Sequence, residues 1–172
     1  MIKTLFETKL TDVKSTDVEG VGTVRHESNG DIYIWLKNTA TTALTAKQPV
    51  CYEVATVGSR TLFKTCLTPA TADLMLAAGI AITAIGASGA NMYGWVQCRG
   101  YVSEVPVLAV SGTAIAVGDT LKGVNGQTYL AKSIAAGTAP AYTSSFVLLE
   151  VVSDATGATV YKDVYVNCFF GG

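Results

Sequence analysis

The chain has 172 residues and a formal net charge of −1; 15% of its residues are charged and 49% are hydrophobic. The lack of a basic run disfavours nucleic acid as a partner, because neutralising phosphates needs clustered Lys and Arg. The longest apolar stretch, residues 74–85, is shorter than the ~20 residues of a membrane-spanning helix. We therefore expect a soluble protein with no nucleic-acid and no membrane partner, whose low-charge surface is partly covered by other proteins.

The first 18 residues are polar and of mixed charge. They predict an N-terminal arm over residues 1–18, mobile alone and ordered on a partner, followed by a single β domain over residues 19–172. Charged residues from Glu7 onwards interrupt the apolar start, so we predict no export signal and expect synthesis in a cytoplasm.

A hairpin is predicted next, with strands at residues 22–27 and 32–37. The Asn29-Gly30 pair between them is typical of a type I′ turn. Alternation gives the second strand two faces, with Ile32, Ile34 and Leu36 on one and Tyr33, Trp35 and Lys37 on the other.

One short helix is predicted near residues 69–78, because Thr68 can cap it, Pro69 fits its first turn and Gly79 can close it. Turn residues separate the other apolar segments, which indicates about ten short strands. The sequence therefore predicts an all-β, single-domain sandwich or barrel with one short helix. The remaining predicted strands are 50–57, 61–67, 80–85, 92–102, 105–110, 120–122, 127–132, 146–152 and 158–169.

A weak internal repeat links two segments. Thr42–Val50 resembles Thr113–Leu121, each being a small-residue strand, a turn and the entry to another strand. A duplicated β unit and a biased composition would both produce this pattern.

No catalytic or metal-binding motif is apparent. His26 is the single histidine, and nothing in the sequence places a nucleophile beside it. The four cysteines, Cys51, Cys66, Cys98 and Cys168, form no C-x-x-C pair, so we predict buried thiols and no zinc site. We expect no enzyme activity, no catalytic residue, no metal and no cofactor.

Aromatic residues alternate with apolar ones in two predicted strands. Within residues 92–102, Val96, Cys98 and Val102 share one side, and the aromatic residues share the other with an arginine. Tyr, Trp and Arg dominate the energetics of protein interfaces, although core packing would produce the same pattern. The candidate protein-interface residues are Trp35, Tyr93, Trp95, Arg99, Tyr101, Tyr161 and Tyr165.

The segment Met92–Gly100, which contains Gly94-Trp95-Val96-Gln97, resembles a strand of small head proteins of tailed bacteriophages. Thr113–Leu121 is similar to their Ala-rich strand, which is followed by Gly-Asp and a hydrophobic strand. The resemblance covers about residues 74–132 and implies a capsid decoration, or cement, protein. Such a protein is made in the host cytoplasm, sits on the outer surface of the virion capsid as a homo-oligomer (dimer or trimer), braces the major capsid protein and needs no cofactor.

Three other functions fit the sequence. The protein could be another phage head-fibre or tail component. It could be a carbohydrate-binding β-sandwich in which Trp35, Trp95 or Tyr101 stacks on sugars. A hydrolase whose carboxylates meet only in space is the third alternative.

Overall fold

Every regular element in the described part of the chain is a β-strand. The structure, a computed structural model, describes residues 5–53, 65–69, 76–109, 114–133, 146–150, 152 and 157–168. The all-β class predicted from the sequence is confirmed. The strands are β1 (Val13–Lys14), β2 (Val24–His26), β3 (Ile32–Asn38), β4 (Pro49–Tyr52), β5 (Thr65–Leu67), β6 (Ala77–Ala81), β7 (Tyr93–Leu108), β8 (Thr120–Gly123), β9 (Leu130–Lys132), β10 (Phe146–Leu148) and β11 (Thr159–Asn167).

These strands form one sheet that closes on itself twice. The first half of β7 pairs with β3 and β6, and β4 and β5 complete a first ring. The second half of β7 pairs with β11 and β9, and β8 and β10 complete a second ring. β7 is therefore the strand that both rings share. Because each ring closes, few strand edges are left unpaired.

The weak sequence repeat is also a repeat of structure. Lys47 (φ 65°) and Gly118 (φ 86°) occupy the same position in the two segments, and both have positive φ. The Lys47 N–H donates to Ala81 O at 2.9 Å, and the Gly118 N–H donates to Leu148 O at 2.8 Å. Both residues lie in turns closed by a matching backbone-to-side-chain hydrogen bond. The Thr45 N–H donates to Gln48 Oε1, and the Ala116 N–H donates to Asp119 Oδ2, each at 2.7 Å. Each ring therefore contains one copy of the same β unit.

One hydrophobic cluster runs through both rings. Ile34 of β3, Val96 of β7 and Val164 of β11 all lie in it, so the faces predicted by alternation are confirmed for these strands. All four cysteines are buried thiols, as predicted. Burial raises the pKa of the Cys98 thiol to about 12, which keeps it protonated.

The prediction of separate strands at 92–102 and 105–110 was wrong, because β7 runs unbroken through Ser103 and Glu104. Its ladder with β11 shifts register at this point, between Lys162 and Val164. Glu104 has φ 57°, and its N–H donates to Asp163 Oδ1 at 3.4 Å. The ladder thus accommodates Ser103 and Glu104 through a bulge, and the strand continues past them.

The helix prediction near residues 69–78 was also wrong at its C-terminal end. Ala77–Ala81 form β6, which is fully buried between β4 and β7. Alanine has the highest intrinsic helix propensity, but propensity is a small contribution that burial within a sheet outweighs. Residues 70–75 of the predicted helix lie outside the described part of the chain, as do residues 54–57 and 61–64 of the two predicted strands and the connection between them.

The predicted hairpin exists, but its turn is not of type I′. Gly30 has φ 89°, whereas Asn29 does not have the positive φ that a type I′ turn requires. The Glu27 carbonyl accepts from the Gly30 N–H at 3.0 Å, and the Glu27 N–H donates to Asp31 O at 3.0 Å. The loop is therefore a three-residue turn with a glycine bulge. Asn29 Oδ1 accepts from the Asp31 N–H at 3.1 Å, which favours this shape.

Among the described residues, none belongs to a helix that could cross a membrane.

Candidate protein-binding face

Two tryptophans meet on the outer face of the first ring. Trp35 of β3 lies directly opposite Trp95 of β7, with ring centroids 5.2 Å apart and an edge-on interplanar angle of 62°. Tyr93 stacks against Trp35 at 6.5 Å. Both tryptophans are fully buried, although they face away from the main hydrophobic cluster.

The N-terminal segment, residues 5–21, buries these tryptophans. Phe6 contacts Trp95 edge-on, with centroids 5.7 Å apart. The Trp95 Nε1–H donates to Thr8 Oγ1 at 2.8 Å, and the Trp35 Nε1–H donates to Asp17 Oδ1 at 3.0 Å. Both indole donors are therefore satisfied by this segment, as buried polar groups require. Leu10, Val18 and Val21 add apolar contacts.

An arginine of β2 holds the segment on the sheet, and a glutamate of the segment itself bonds to Thr8. Arg25 lies over the Phe6 ring at 4.9 Å and donates to the Thr8 carbonyl at 3.0 Å. Glu19 Oε1 accepts from both the N–H and the hydroxyl of Thr8, each at 2.6 Å. β1 adds a short antiparallel pairing with the start of β7. Residues 5–18 thus pack on the sheet. The mobility of the arm in the free protein and its ordering on a partner stay predictions.

Replacing Thr8 with valine should lower the free energy of unfolding by about 1–3 kcal/mol, because the buried Trp95 N–H then loses its acceptor. Urea unfolding followed by tryptophan fluorescence measures this change. Thr11→Val is the matched control, since Thr11 is exposed and should change stability by less than about 0.5 kcal/mol. Equal midpoints for the two variants would contradict the role assigned to Thr8.

The outer face of the second ring is open. It carries three exposed tyrosines: Tyr101 on β7 at 52% exposure, and Tyr161 and Tyr165 on β11 at 68% and 37%. Tyr101 lies directly opposite Tyr165, and the exposed Arg99 lies opposite Asn167. This tyrosine face continues along β7 from the covered tryptophans.

A carboxylate orients the central tyrosine. The Tyr101 hydroxyl donates to Asp163 Oδ2 across the ladder. This hydrogen bond raises the pKa of the Tyr101 phenol, so the ring stays neutral at physiological pH. Asp163 sits at the β7–β11 bulge, which also leaves Glu104 exposed beside the tyrosines.

The seven candidate interface residues therefore divide into two groups. Trp35, Tyr93 and Trp95 lie in the covered cluster, where the tryptophans offer no surface to a partner. The other four form the open tyrosine face: Arg99, Tyr101, Tyr161 and Tyr165.

The sequence interpretation missed Thr8, Asp17 and Asp163. The apolar residues inside the polar arm, such as Phe6 and Leu10, were the available signal that the arm packs on the domain. No comparable signal points to Asp163, because its role depends on the register between β7 and β11.

No group of three or more His, Cys, Asp or Glu side chains is arranged to hold a metal ion in the described part of the chain. No protein-family profile, no curated protein and no solved structure matches this chain.

Proposed function

We propose that this protein is a structural component of a tailed-phage virion, which binds the outer surface of the assembled capsid and stabilises it without an enzymatic step. The observation that best supports the proposal is the open tyrosine face. Tyrosine and arginine supply much of the binding energy at protein interfaces, because they bury large rings or planar groups and still form hydrogen bonds. The resemblance of residues 92–100 to phage head proteins supplies the partner class, with the major capsid protein as partner.

The fold suits such a role, since the face stands on two long, paired strands of a sheet that closes into rings. A rigid surface loses little conformational entropy when it binds. A ligand that binds only the assembled shell stabilises it by about 2.7 kcal/mol per site at 100 times its dissociation constant. Repetition over many sites would then resist rupture of the shell.

Carbohydrate binding is the alternative from a different class. Two of the aromatic residues suggested for sugar stacking, Trp35 and Trp95, are buried under the N-terminal segment. Only Tyr101 among the residues suggested for sugar stacking is exposed. A glycan array with the purified protein separates this alternative from capsid binding. A tail component would be recognised by its failure to attach to heads.

Co-sedimentation tests the proposal. Purified protein is mixed with heads of its source phage that lack it, and the mixture is centrifuged through a sucrose cushion. We expect saturable pelleting with a fixed copy number per head. The double variant Tyr101→Ala/Tyr165→Ala should bind at least about tenfold more weakly.

Val117→Ser is the matched control, because Val117 is 58% exposed in the turn before β8, outside the tyrosine face. It should bind like the unmodified protein. Protein that stays in the supernatant at all concentrations, or equal binding by the double variant, would overturn the proposal.

A further inference from the structure

We infer that Cys98 and Cys168 form a disulfide bond when the protein meets a mild oxidant, and that this bond ties the end of β11 to β7, the strand that both rings share. The inference does not depend on capsid binding. It rests on the pairing of the two residues, on a phenol that adjoins both thiols and on a bulge at Cys98. Both residues are buried thiols in this structure.

The two cysteines lie directly opposite each other on neighbouring strands. The ladder of β7 and β11 pairs Arg99 with Asn167, and one residue further along the Cys168 N–H donates to Cys98 O at 2.7 Å. Residues bonded in this way across an antiparallel pair have Cα atoms about 5.5 Å apart, within the range of about 4.4–6.8 Å found in disulfides. Both side chains belong to the hydrophobic cluster that runs through the rings, so they point to the same face of the sheet.

A tyrosine of β4 adjoins both thiols. Burial raises the pKa of the Tyr52 phenol, and Coulombic interactions with Cys98 and Cys168 raise it further. Such interactions weaken with distance, so both sulfur atoms lie near the same hydroxyl group. The two side chains therefore converge on one place in the core.

The other two cysteines are placed differently. Cys51 lies outside the hydrophobic cluster that contains Cys98 and Cys168. Cys66 belongs to that cluster and adjoins Tyr52, but its ladder partners are an asparagine of β3 and Tyr52 itself. Cys98 and Cys168 are therefore the pair that a disulfide requires to move least.

A small adjustment completes the geometry. Opposite side chains have Cβ atoms about 4.5–5.5 Å apart, and a disulfide needs about 3.5–4.5 Å. β7 bulges at Cys98, because Gln97 and Arg99 pair with consecutive residues of β3 and leave Cys98 outside that register. A bulged position is held by fewer ladder bonds, so Cys98 can shift by the ~1 Å required.

Burial keeps the pair unreactive until the strand end opens. The Cys98 Sγ donates to Ile32 O at 3.3 Å, and burial raises the pKa of this thiol to about 12, whereas exchange needs a thiolate. Cys168 directly follows Asn167, the last residue of β11. The end of a strand opens at a lower free energy than the whole domain, so opening here exposes Cys168 first.

The reaction is thiol–disulfide exchange with a small organic disulfide such as oxidised glutathione. The Cys168 thiolate attacks one sulfur of the reagent and releases one thiolate. The Cys98 thiolate then attacks the Cys168 sulfur of the mixed disulfide and releases the second. Two protein thiols are thereby oxidised to one disulfide, and the reagent is reduced to two thiols that take up the two protons. An oxidising medium outside the cell favours this reaction, and a reducing cytoplasm opposes it.

Peptide mapping tests whether the bond forms. Purified protein is incubated with oxidised glutathione at several temperatures up to the onset of unfolding, which allows for slow opening of the strand end. Remaining thiols are alkylated in denaturant, and unreduced protease fragments are analysed by mass spectrometry. We expect a cross-linked fragment pair containing Cys98 and Cys168, with Cys51 and Cys66 alkylated. Unchanged thiols, a glutathione adduct alone or a cross-link through Cys51 or Cys66 would overturn the inference.

Calorimetry measures the effect of the bond. Closing the loop from residue 98 to residue 168 restricts the unfolded chain, so the oxidised protein should have a Tm roughly 5–10 °C above that of the reduced protein. Cys168→Ala should abolish this difference. Cys51→Ala is the matched control, because Cys51 is also buried but lies outside the pair, and it should keep the difference.

Comparing the two redox states of each variant removes the packing loss that both substitutions cause. A Tm difference that survives Cys168→Ala would contradict the assignment of the pair. Equal Tm values for the oxidised and reduced unmodified protein would contradict the tie between β11 and β7.

Discussion

Replacing Trp95 with alanine should lower the free energy of unfolding by about 3–5 kcal/mol, the usual cost of removing a large buried aromatic side chain. Trp95 is fully buried and contacts Phe6 and Trp35 edge-on. Its loss would leave a cavity between β7 and the N-terminal segment, and it would remove the indole donor to Thr8. Urea unfolding monitored by circular dichroism gives the change in free energy.

Tyr161→Ala is the matched control, since it removes an aromatic ring from a strand position that is mostly exposed. We expect a change of less than about 0.5 kcal/mol. If Trp95→Ala were as mild as this control, Trp95 would not be the packing centre of the covered cluster. It would then return to the interface role that the sequence suggested.

Replacing Gly79 with alanine should cost about 3 kcal/mol or more. A Cβ at this position would lie 2.1 Å from the Gln97 carbonyl oxygen, and the backbone has φ 141°, which L-residues rarely adopt. The contacting atom belongs to the backbone of β7, so a side-chain rotation cannot relieve the clash. β6 and β7 would have to separate, which exposes buried surface. Thermal unfolding reports the loss as a lowered Tm.

Gly30→Ala is the control for this substitution, because Gly30 also has positive φ (89°) but has open space around its Cβ position. It should cost about 1–2 kcal/mol, the penalty for a left-handed backbone alone. The difference between the two variants isolates the clash with β7. Equal losses would mean that β6 can move away from β7 at little cost.

Alternation was enough to predict the faces of the long strands. In β3, β7 and β11, apolar residues at every second position point into the shared cluster. This works because the side-chain period of a strand is two, whatever its partners are. The pattern in Met92–Val102 therefore predicted both faces of the first half of β7.

Alternation does not show whether an outward face is covered. Trp95 and Tyr101 share one face of β7, yet Trp95 is fully buried and Tyr101 is 52% exposed. The difference comes from residues 5–21, which pack on the tryptophans although they are distant from β7 in sequence. The polar composition of this segment outweighed the signal of its few apolar residues in the sequence interpretation. The division of the candidate interface could therefore be seen only in three dimensions.

Two other features depend on tertiary context. The polar pair Ser103-Glu104 predicts a strand break, but the pairing of β7 with β11 continues through a bulge there. Gly79 predicts the end of a helix, but in the structure it lies where β6 comes so close to the Gln97 carbonyl that a Cβ would clash. In both cases long-range pairing outweighs local preference.

The thermal rupture of phage heads tests the central claim most directly. Heads prepared without this protein are heated with and without added purified protein, and DNA release is followed with an impermeant dye. We expect the rupture temperature to rise as the protein is added and to level off when its sites are full, with Val117→Ser equally effective. An unchanged rupture temperature at saturating protein would contradict it.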